Sequence, residues 1–372
     1  MSEILIIGGG IIGLSIARSL RKLGVKKITI LERGKLGEEA SFAAAGMLAV
    51  QAETNKNDAF FNFCNESRNL FPRLADELLA ETGIDIELET SGTLYLSFSE
   101  TDSNELNKRF KWQSAGDLKV EKLTSTEIRK MEPFVSPNLT EGLFFENDWQ
   151  VENRKLLKAL QHFVENNSVE VFENEEVIAV LSEKNRVCGV ETKNQTFFAD
   201  KVIFATGAWT SFIKTDGFKL PEIKPIRGQM MSLKTAKRLF TRVIYSPRGY
   251  IVPRRDGRIL AGATVENVGF DKNTTPEGFD FVFGNTIEIA PSLANLGITE
   301  KWSGLRPFFA DGLPILGKVP TIENLLIATA HFRNGILLAP KTAEIIAKQA
   351  INDIETEYEQ VFGLSRLQKN AS

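Results

Sequence analysis

The first residues of the chain form an apolar strand that runs directly into a glycine-rich turn. Residues 4–13 read Ile-Leu-Ile-Ile-Gly-Gly-Gly-Ile-Ile-Gly, with Gly8, Gly10 and Gly13 in the spacing Gly-x-Gly-x-x-Gly. Gly8 permits the tight turn, Gly10 lets the backbone approach a pyrophosphate, and Gly13 allows helix and strand to pack closely. A pyrophosphate would lie at the helix N-terminus, where the N–H groups and the helix dipole favour negative charge. The sequence therefore predicts a dinucleotide-binding βα unit.

An acidic residue follows where the second strand of such a unit would end. Residues 14–23 have an amphipathic helical pattern, residues 27–31 form an apolar strand, and Glu32 lies nineteen residues after Gly13. An acid at this place holds a ribose hydroxyl in dinucleotide-binding folds. It would repel a 2′-phosphate, although Arg33 would offset part of that repulsion, so FAD or NAD is favoured over NADP. The alternative is a glycine turn in an unrelated βα unit, but this alternative does not explain why Glu32 lies at the end of the second strand.

Length and charge narrow the class of protein. A chain of 372 residues is long enough for two domains with sizeable cores. The net charge of −3 and the lack of a basic block argue against a nucleic-acid-binding surface, and favour a small-molecule partner. The apolar N-terminus has no basic leader, and no run reaches about 18 apolar residues, so we expect a soluble cytoplasmic protein without membrane spans.

Few side chains suit metal or nucleophilic chemistry. Cys64 and Cys188 lack ligand-like spacing and are expected to be core thiols rather than a zinc site or a disulfide. His162 lies in a helical pattern, where a surface or packing role is favoured, and His331 is the only other histidine. Neither a Gly-x-Ser-x-Gly elbow nor a P-loop is present. Hydrolase and kinase functions are therefore disfavoured, and we expect no metal.

The order of predicted elements indicates two interleaved domains. Residues 59–82 have a helical pattern that Pro72 should kink, and residues 93–98 alternate as a half-buried strand. Residues 250–254 and 259–263 predict a hairpin around an Asp-Gly turn. We predict the α/β class, with a discontinuous Rossmann-type FAD-binding domain over residues 1–86, 141–222 and 304–372, and an α+β substrate domain with a mostly antiparallel sheet over residues 87–140 and 223–303.

Residues 331–340 read His-Phe-Arg-Asn-Gly-Ile-Leu-Leu-Ala-Pro and predict a turn from a strand into a helix. A helix N-terminus aimed at a flavin would stabilise the negative charge that develops on reduction. Arg333 at this turn, Arg306 and Tyr250 could together bind one small carboxylate, with Arg306 in a bidentate fork. The alternative for either arginine alone is a surface or domain-linking ion pair.

Taken together, these segments resemble the glycine oxidases of bacterial thiamine biosynthesis, within the D-amino acid oxidase and sarcosine oxidase superfamily. The resemblance covers essentially the whole chain, and five blocks match in order. The blocks are residues 43–48, 58–61, 249–254 with 262–264, 304–307 through 311–312, and 331–340.

The resemblance implies a site for FAD and a small amino acid. Arg306 would bind the substrate carboxylate, with Tyr250 and Arg333 lining the pocket, and no side-chain base would be required. Dioxygen would be the electron acceptor, with hydrogen peroxide as product, and the protein would be a homotetramer. Together with Gly8, Gly10 and Gly13 of the glycine turn, the implied FAD contacts are Ile11, Ile12, Glu32, Arg33, Ala40, Ser41, Ala45, Gly46, Met47, Val177, His331, Phe332, Arg333, Asn334, Gly335, Ile336 and Leu337.

Some positions depart from the family pattern. Ala330 stands where a glycine commonly precedes the His-Phe-Arg-Asn-Gly run, and Arg248 and Val265 occupy variable positions near the pocket. Neither cysteine lies in the C-terminal flavin segment, so the FAD should be bound non-covalently. The rival functions are a D-amino acid dehydrogenase with another electron acceptor, and a non-catalytic FAD-binding module or redox sensor.

Bulky residues are expected to leave little room beyond the substrate Cα. This expectation predicts that glycine and sarcosine are better substrates than D-amino acids with large side chains. The residues expected to crowd the flavin are Met47, Tyr250, Phe308, Phe309 and Phe332.

Overall fold

The computed structural model describes residues 3–116 and 118–369. The strands are β1 Glu3–Ile7, β2 Lys27–Glu32, β3 Met47–Leu48, β4 Thr93–Ser97, β5 Glu121–Thr124, β6 Glu141–Phe145, β7 Trp149–Gln150, β8 Glu170–Glu173, β9 Val177–Glu183, β10 Arg186–Thr192, β11 Thr196–Phe198, β12 Lys201–Phe204, β13 Lys224–Lys234, β14 Val243–Ser246, β15 Gly249–Pro253, β16 Arg258–Gly262, β17 Ile298–Phe308, β18 Ile315–Lys318 and β19 Leu325–Thr329. The helices are α1 Ile11–Lys22, α2 Ala40–Ala43, α3 Val50–Glu53, α4 Ala59–Asn69, α5 Phe71–Thr82, α6 Glu100–Ala115, α7 Ser125–Met131, α8 Asn153–Asn166, α9 Pro276–Ile289, α10 Gly335–Asn352, α11 Glu357–Phe362 and α12 Ser365–Lys369.

The nucleotide motif lies in a six-stranded sheet with the order β18-β19-β12-β1-β2-β8. Its neighbours are parallel except at the edge, where β18 runs antiparallel to β19. Ile4 and Ile6 of β1 face a core shared with α1, α8 and α10, while Leu5 and Ile7 face the core under the β9–β11 sheet. A strand buried on both faces reads as a continuous apolar run, as residues 4–7 do.

The second large sheet has the order β17-β13-β16-β15-β14-β4-β6-β5 and is antiparallel except between β14 and β4. Alternation along its strands separates two faces. Ile251 packs in the core with α9, whereas Tyr250 and Val252 face the opposite side with Ala43 and Ala45. This opposite face is turned towards the nucleotide motif.

The predicted α/β class is confirmed. Strands of the parallel sheet come from all three chain pieces expected for the nucleotide-binding domain. However, β6 begins just after the expected boundary at residue 140 and belongs to the antiparallel sheet. The exact division into domains therefore stays a prediction.

Residues 59–82 are helical as expected, but the kink expected at Pro72 is a break between two helices. The segment forms two helices, α4 and α5, with Pro72 in the first turn of α5. Proline lacks a backbone N–H and fits the first turn of a helix, where that donor is not used. It therefore starts a new helix here instead of kinking one. Across the residues that the structure describes, no helix is both long and apolar enough to cross a membrane.

Candidate active site

A cavity of ≈ 540 Å³, called the central cavity below, is lined by residues of both large sheets. Its nucleotide end contains the glycine turn, and its substrate end contains the tyrosines and arginines of the antiparallel sheet and the 331–336 turn. Most of the residues expected from the sequence line it. These are Gly8, Gly10, Ile11, Ile12, Glu32, Arg33, Ala40, Ser41, Ala45, Gly46, Met47, Val177, Tyr250, Arg306, His331, Phe332, Arg333, Gly335 and Ile336.

The glycine turn has the geometry that its spacing predicts. Gly8 has φ +105°, and a Cβ there would lie 2.4 Å from the carbonyl oxygen of Ala205. A Cβ at Gly13 would lie 1.9 Å from the carbonyl oxygen of Gly8, so Gly13 serves helix–strand packing and does not line the cavity. Gly10 lines the cavity at the start of α1. No acidic residue lies in the first turn of α1, so the helix N-terminus suits an anion.

The groups around this turn are ordered by hydrogen bonds. Glu32 accepts the N–H groups of Gly9 at 2.7 Å and Gly34 at 2.9 Å, and burial raises the pKa of its carboxyl group. The Ser41 hydroxyl accepts the N–H of Ile11 at 3.0 Å. The cavity here presents mainly backbone, hydroxyl and carboxylate groups, which suits a ribose and a pyrophosphate.

Residues 40–47, which are small apart from Phe42 and Met47, form a wall that other elements hold in place. Asn153, Trp302 and Arg254 donate to carbonyl oxygens of residues 41–45 at distances of up to 3.1 Å. Gly46 has φ +69°, and a Cβ there would lie 2.1 Å from a carbonyl oxygen of Val151. Burial lowers the pKa of Arg254 to about 10, so this arginine stays charged at neutral pH. The wall is fixed, and its small side chains permit close approach of a flat ring.

The turn from β19 into α10 brings a second helix N-terminus to the cavity. Gly335 and Ile336 begin α10 and line the wall. Ala330 has φ +60°, a conformation that favours glycine, and this agrees with the glycine that the resemblance described above leads us to expect at this position. His331 is buried, its Nε2 lies 3.1 Å from the Thr342 hydroxyl, and burial lowers its pKa to about 3. The imidazole is therefore neutral near pH 7.

Two residues of this turn lie elsewhere than expected. Asn334 precedes the first residue of α10 and does not line the cavity. Leu337 is 1 % exposed and packs in the core between the parallel sheet and its helices. For Leu337 the helical period explains the difference, because successive residues of a helix cannot all face one side.

Arg306 of β17 and Tyr250 of β15 both line the substrate end of the cavity, although two strands separate β17 from β15 in the antiparallel sheet. Arg306 donates to the carbonyl oxygen of Thr264 at 3.1 Å, which orients the guanidinium and leaves further donors. Burial raises the pKa of Tyr250, so the phenol keeps its proton as a donor. A Cβ at Gly228 would lie 2.2 Å from Arg306 Nη2. Gly228 thus makes room for the arginine, a role that no sequence pattern indicated.

Arg333 forms an ion pair, the alternative considered for it above, with a partner that the sequence did not identify. Its Nη2 donates to Glu53 Oε1 at 2.8 Å and to the Tyr245 hydroxyl at 2.8 Å. The charge of Glu53 raises the pKa of Arg333. Glu53 and Tyr245 both line the cavity. Nothing in the sequence around Glu53 marks it as a site residue.

Of the five bulky residues expected to crowd the flavin, Phe308 and Phe309 lie away from the central cavity. Neither side chain lines the central cavity, because Phe308 packs edge-on against Phe332 with ring centroids 5.0 Å apart, and Phe309 packs beneath the parallel sheet. Met47, Tyr250 and Phe332 do line the cavity. Arg248 and Val265, noted as departures from the family, also lie on its wall.

The donor set fits a dinucleotide flavin: two helix N-termini, a buried carboxylate beside the glycine turn, and a wall of small residues. The class defined by this fold and site is a dinucleotide-binding oxidoreductase. Residues 3–349 match the family described as FAD dependent oxidoreductase. The chain belongs to this family, which confirms the family and the FAD cofactor expected from the sequence.

Glycine oxidases are among the similar proteins. The chain is 34 % identical to the glycine oxidase of Bacillus licheniformis over 98 % of this chain and 97 % of the relative. It is 35 % identical to the bifunctional protein ThiO/ThiG of Trichormus variabilis, over 100 % of this chain and 56 % of that protein. The crystal structure of glycine oxidase from Geobacillus kaustophilus superposes with a TM-score of 0.92 at 30 % identity, over 98 % of both chains.

Proposed function

We propose that this protein is an FAD-dependent glycine oxidase that also accepts sarcosine and small D-amino acids. Arg306 and Tyr250 carry the proposal, because they present a cation and a phenol donor to the same cavity that two helix N-termini face. The names of the similar proteins support it. The fused ThiO/ThiG relatives support a role in supplying glyoxylate imine for thiazole synthesis in thiamine biosynthesis.

FAD is proposed to be held mainly by main-chain groups. The N-terminus of α1 would receive the pyrophosphate, and Glu32 would receive a ribose hydroxyl. Gly46 and the alanines around it would allow the ring to approach the backbone. The N-terminus of α10 would lie near the flavin, where it favours negative charge. Since neither cysteine lines the cavity, we propose that FAD is bound non-covalently.

Arg306 is proposed to bind the substrate carboxylate, with the Tyr250 phenol as a second donor. When bound, FAD supplies the acceptor for the hydride that leaves the substrate Cα. The side chains need only orient the substrate and exclude water, because the neutral amine can form the imine without a side-chain base. His331 could not act as that base near neutral pH without large cost, because burial lowers its pKa to about 3.

The overall reaction balances with water and dioxygen. Glycine loses a hydride from Cα and a proton from nitrogen to give the imine, which water converts to glyoxylate and ammonia. Dioxygen takes up the two electrons and two protons to give hydrogen peroxide. Dioxygen as acceptor, assembly into a homotetramer and a cytoplasmic location are parts of the proposal.

Three experiments test the proposal. Anaerobic glycine should bleach the flavin absorbance, and in air the protein should consume oxygen and form hydrogen peroxide. Bleaching without oxygen consumption would favour a D-amino acid dehydrogenase, and no bleaching by glycine, sarcosine or D-alanine would favour a non-catalytic FAD-binding protein. Acid should release intact FAD, and flavin retained in the precipitate would contradict non-covalent binding.

A further inference from the structure

Glu53 is a carboxylate on the cavity wall that the proposed reaction does not use. Its Oε1 accepts hydrogen bonds from Arg333 Nη2 at 2.8 Å and from the Tyr245 hydroxyl at 2.9 Å. The Glu53 side chain is only 10 % exposed. A charge with so little access to water requires a partner. Glu53 and Arg333 therefore act together and are called the Glu53–Arg333 pair below.

The short helix that carries Glu53 is held at both ends by buried ionisable side chains. Asp148 accepts two backbone N–H groups of α3, each at 2.8 Å. Arg109 donates to carbonyl oxygens within and just after α3. Asp148 and Arg109 are both buried. The position of Glu53 is thus set by the fold, before any substrate binds.

The charges at the substrate end leave room for one anion. Arg306 and Arg333 contribute two positive charges, and Glu53 contributes one negative charge, so the net charge is one positive. A single substrate carboxylate on Arg306 completes the balance. A second anionic group would meet Glu53 with no unpaired arginine to receive it, and uncompensated charges are costly where water is excluded.

The other arginines on the cavity wall are already paired. Arg248 contacts Asp102 and Glu288, each with a nitrogen–oxygen distance of 2.6 Å. Arg33, at the nucleotide end, pairs with Glu39 at 2.6 Å. Neither arginine is free to replace Arg333 as a partner for a second anionic group.

We propose that Glu53 is a specificity-determining residue: by neutralising Arg333, it restricts the substrate end to amines with one carboxylate and disfavours those with a second anionic group. The inference rests on the proposed function, since it places the first carboxylate on Arg306. It assigns Arg333 a different role from that of Arg306. Arg333 is a second anion site that the fold keeps closed.

The test compares the binding of acetate and malonate, which are not oxidised, to the FAD-loaded protein by isothermal titration calorimetry. Glu53→Gln removes the charge and keeps an oxygen acceptor for Arg333 and Tyr245. We expect the ratio of malonate to acetate affinity to rise at least about tenfold, because a dianion gains more than a monoanion from the released positive charge. A ratio that stays within about twofold of the wild-type value would overturn the proposal.

Three further variants keep the test decisive. Arg333→Gln removes the positive charge beside Glu53, which then keeps only the hydrogen bond from Tyr245. The ratio of malonate to acetate affinity should therefore fall, and this variant tests the proposal even if Glu53→Gln does not fold. The double variant Glu53→Gln/Arg333→Gln should return the ratio to near the wild-type value. Glu288→Gln is the matched control, because it removes one negative charge beside Arg248 while Asp102 still pairs that arginine. A rise in Glu288→Gln equal to that in Glu53→Gln would count against a specific role for Glu53.

The outcome separates this inference from the proposed function. If the malonate ratio responds as expected but glycine does not bleach the flavin, the anion selectivity stands and the proposed substrate fails. If glycine bleaches the flavin and the ratio does not respond, glycine oxidation stands and the role of Glu53 fails.

Discussion

At the nucleotide end of the central cavity, main-chain groups and small residues form the wall, whereas at the substrate end long charged side chains form it. Gly8, Gly10 and Gly46 act by lacking a side chain, and the positions that they allow are fixed by backbone sterics. Arg306, Arg333 and Glu53 act through charges whose positions depend on their partners. Changes at the first end should therefore act on folding and cofactor binding, and changes at the second on substrate choice.

The largest effect on stability and cofactor binding is expected when a methyl group is added at the glycine turn. In Gly13→Ala the new Cβ would lie 1.9 Å from the carbonyl oxygen of Gly8, so α1 must move away from β1. We expect loss of FAD binding and a destabilisation of about 3 kcal/mol or more, measured by flavin content and thermal melting. The control is Gly284→Ala in α9, where a Cβ meets no atom within 4 Å. It should be neutral or slightly stabilising, and a Gly13→Ala protein with full flavin content would contradict the prediction.

Arg306→Ala should have the opposite signature, with normal flavin content and weak substrate binding. A charge-assisted hydrogen bond contributes about 1.5–3 kcal/mol, so KM for glycine should rise roughly 10- to 150-fold. Arg306→Lys should recover only part of the loss, because lysine lacks the planar fork. Steady-state kinetics and FAD titration check both claims. Unchanged glycine kinetics in the alanine variant would remove Arg306 from the substrate site.

The size of the substrates that react tests how much space the substrate end of the cavity provides. Met47, Met230, Tyr245 and Tyr250 line the cavity, and we expect these bulky side chains to limit the space for a side chain on the substrate Cα. Each extra methylene should cost about 1–3 kcal/mol in the transition state, so D-alanine should react slowly and D-leucine more slowly still. The measurement is kcat/KM for glycine, sarcosine, D-alanine and D-leucine. Higher kcat/KM for D-leucine than for glycine would show an open pocket.

The pH dependence of stability tests the buried support of α3. Burial raises the pKa of Asp148 to about 7, above its unfolded value of about 3.9. Asp148 thus binds a proton more tightly in the folded state than in the unfolded state, and this difference stabilises the folded state at low pH. The stabilisation is fully present below about pH 4. It is lost as pH rises towards 7, and the free energy of unfolding falls by at most about 1.4 kcal/mol per pH unit.

Asp148→Asn should flatten this dependence, and urea unfolding between pH 5 and 8 measures it. The exposed Asp76→Asn serves as control and should follow the wild type. Parallel curves for Asp148→Asn and wild type would mean that Asp148 does not titrate in this range.

The smallest effect is expected at the turn before His331. Ala330 is buried with φ +60°, so Ala330→Gly relieves backbone strain but removes a buried methyl group and frees the unfolded chain. The two effects oppose each other, and we expect a change in unfolding free energy below about 1 kcal/mol. FAD affinity should stay the same. A large loss of flavin would show that the methyl group supports the cofactor turn.

The nucleotide end could be predicted from the sequence, because the residues that form its glycine turn lie close together along the chain. A strand, three glycines and an acid at fixed spacing specify the βα unit, and each acts through the backbone of its own segment. The Asp-Gly turn between two strand-like segments likewise indicated the hairpin of β15 and β16. The same local reasoning did not show that the helical period places the Leu337 side chain in the core and away from the cavity.

The contacts at the substrate end could not be predicted from the sequence and were found only in the tertiary structure. Glu53 and Arg333 lie 280 residues apart, and Tyr245, which contacts both, lies on a third segment. Gly228 accommodates Arg306 from the neighbouring strand β13. Such contacts form when distant segments are packed together, and they leave no spacing or period in the chain. The charge of Arg333 could therefore be read from the sequence, whereas the partner that neutralises it could not.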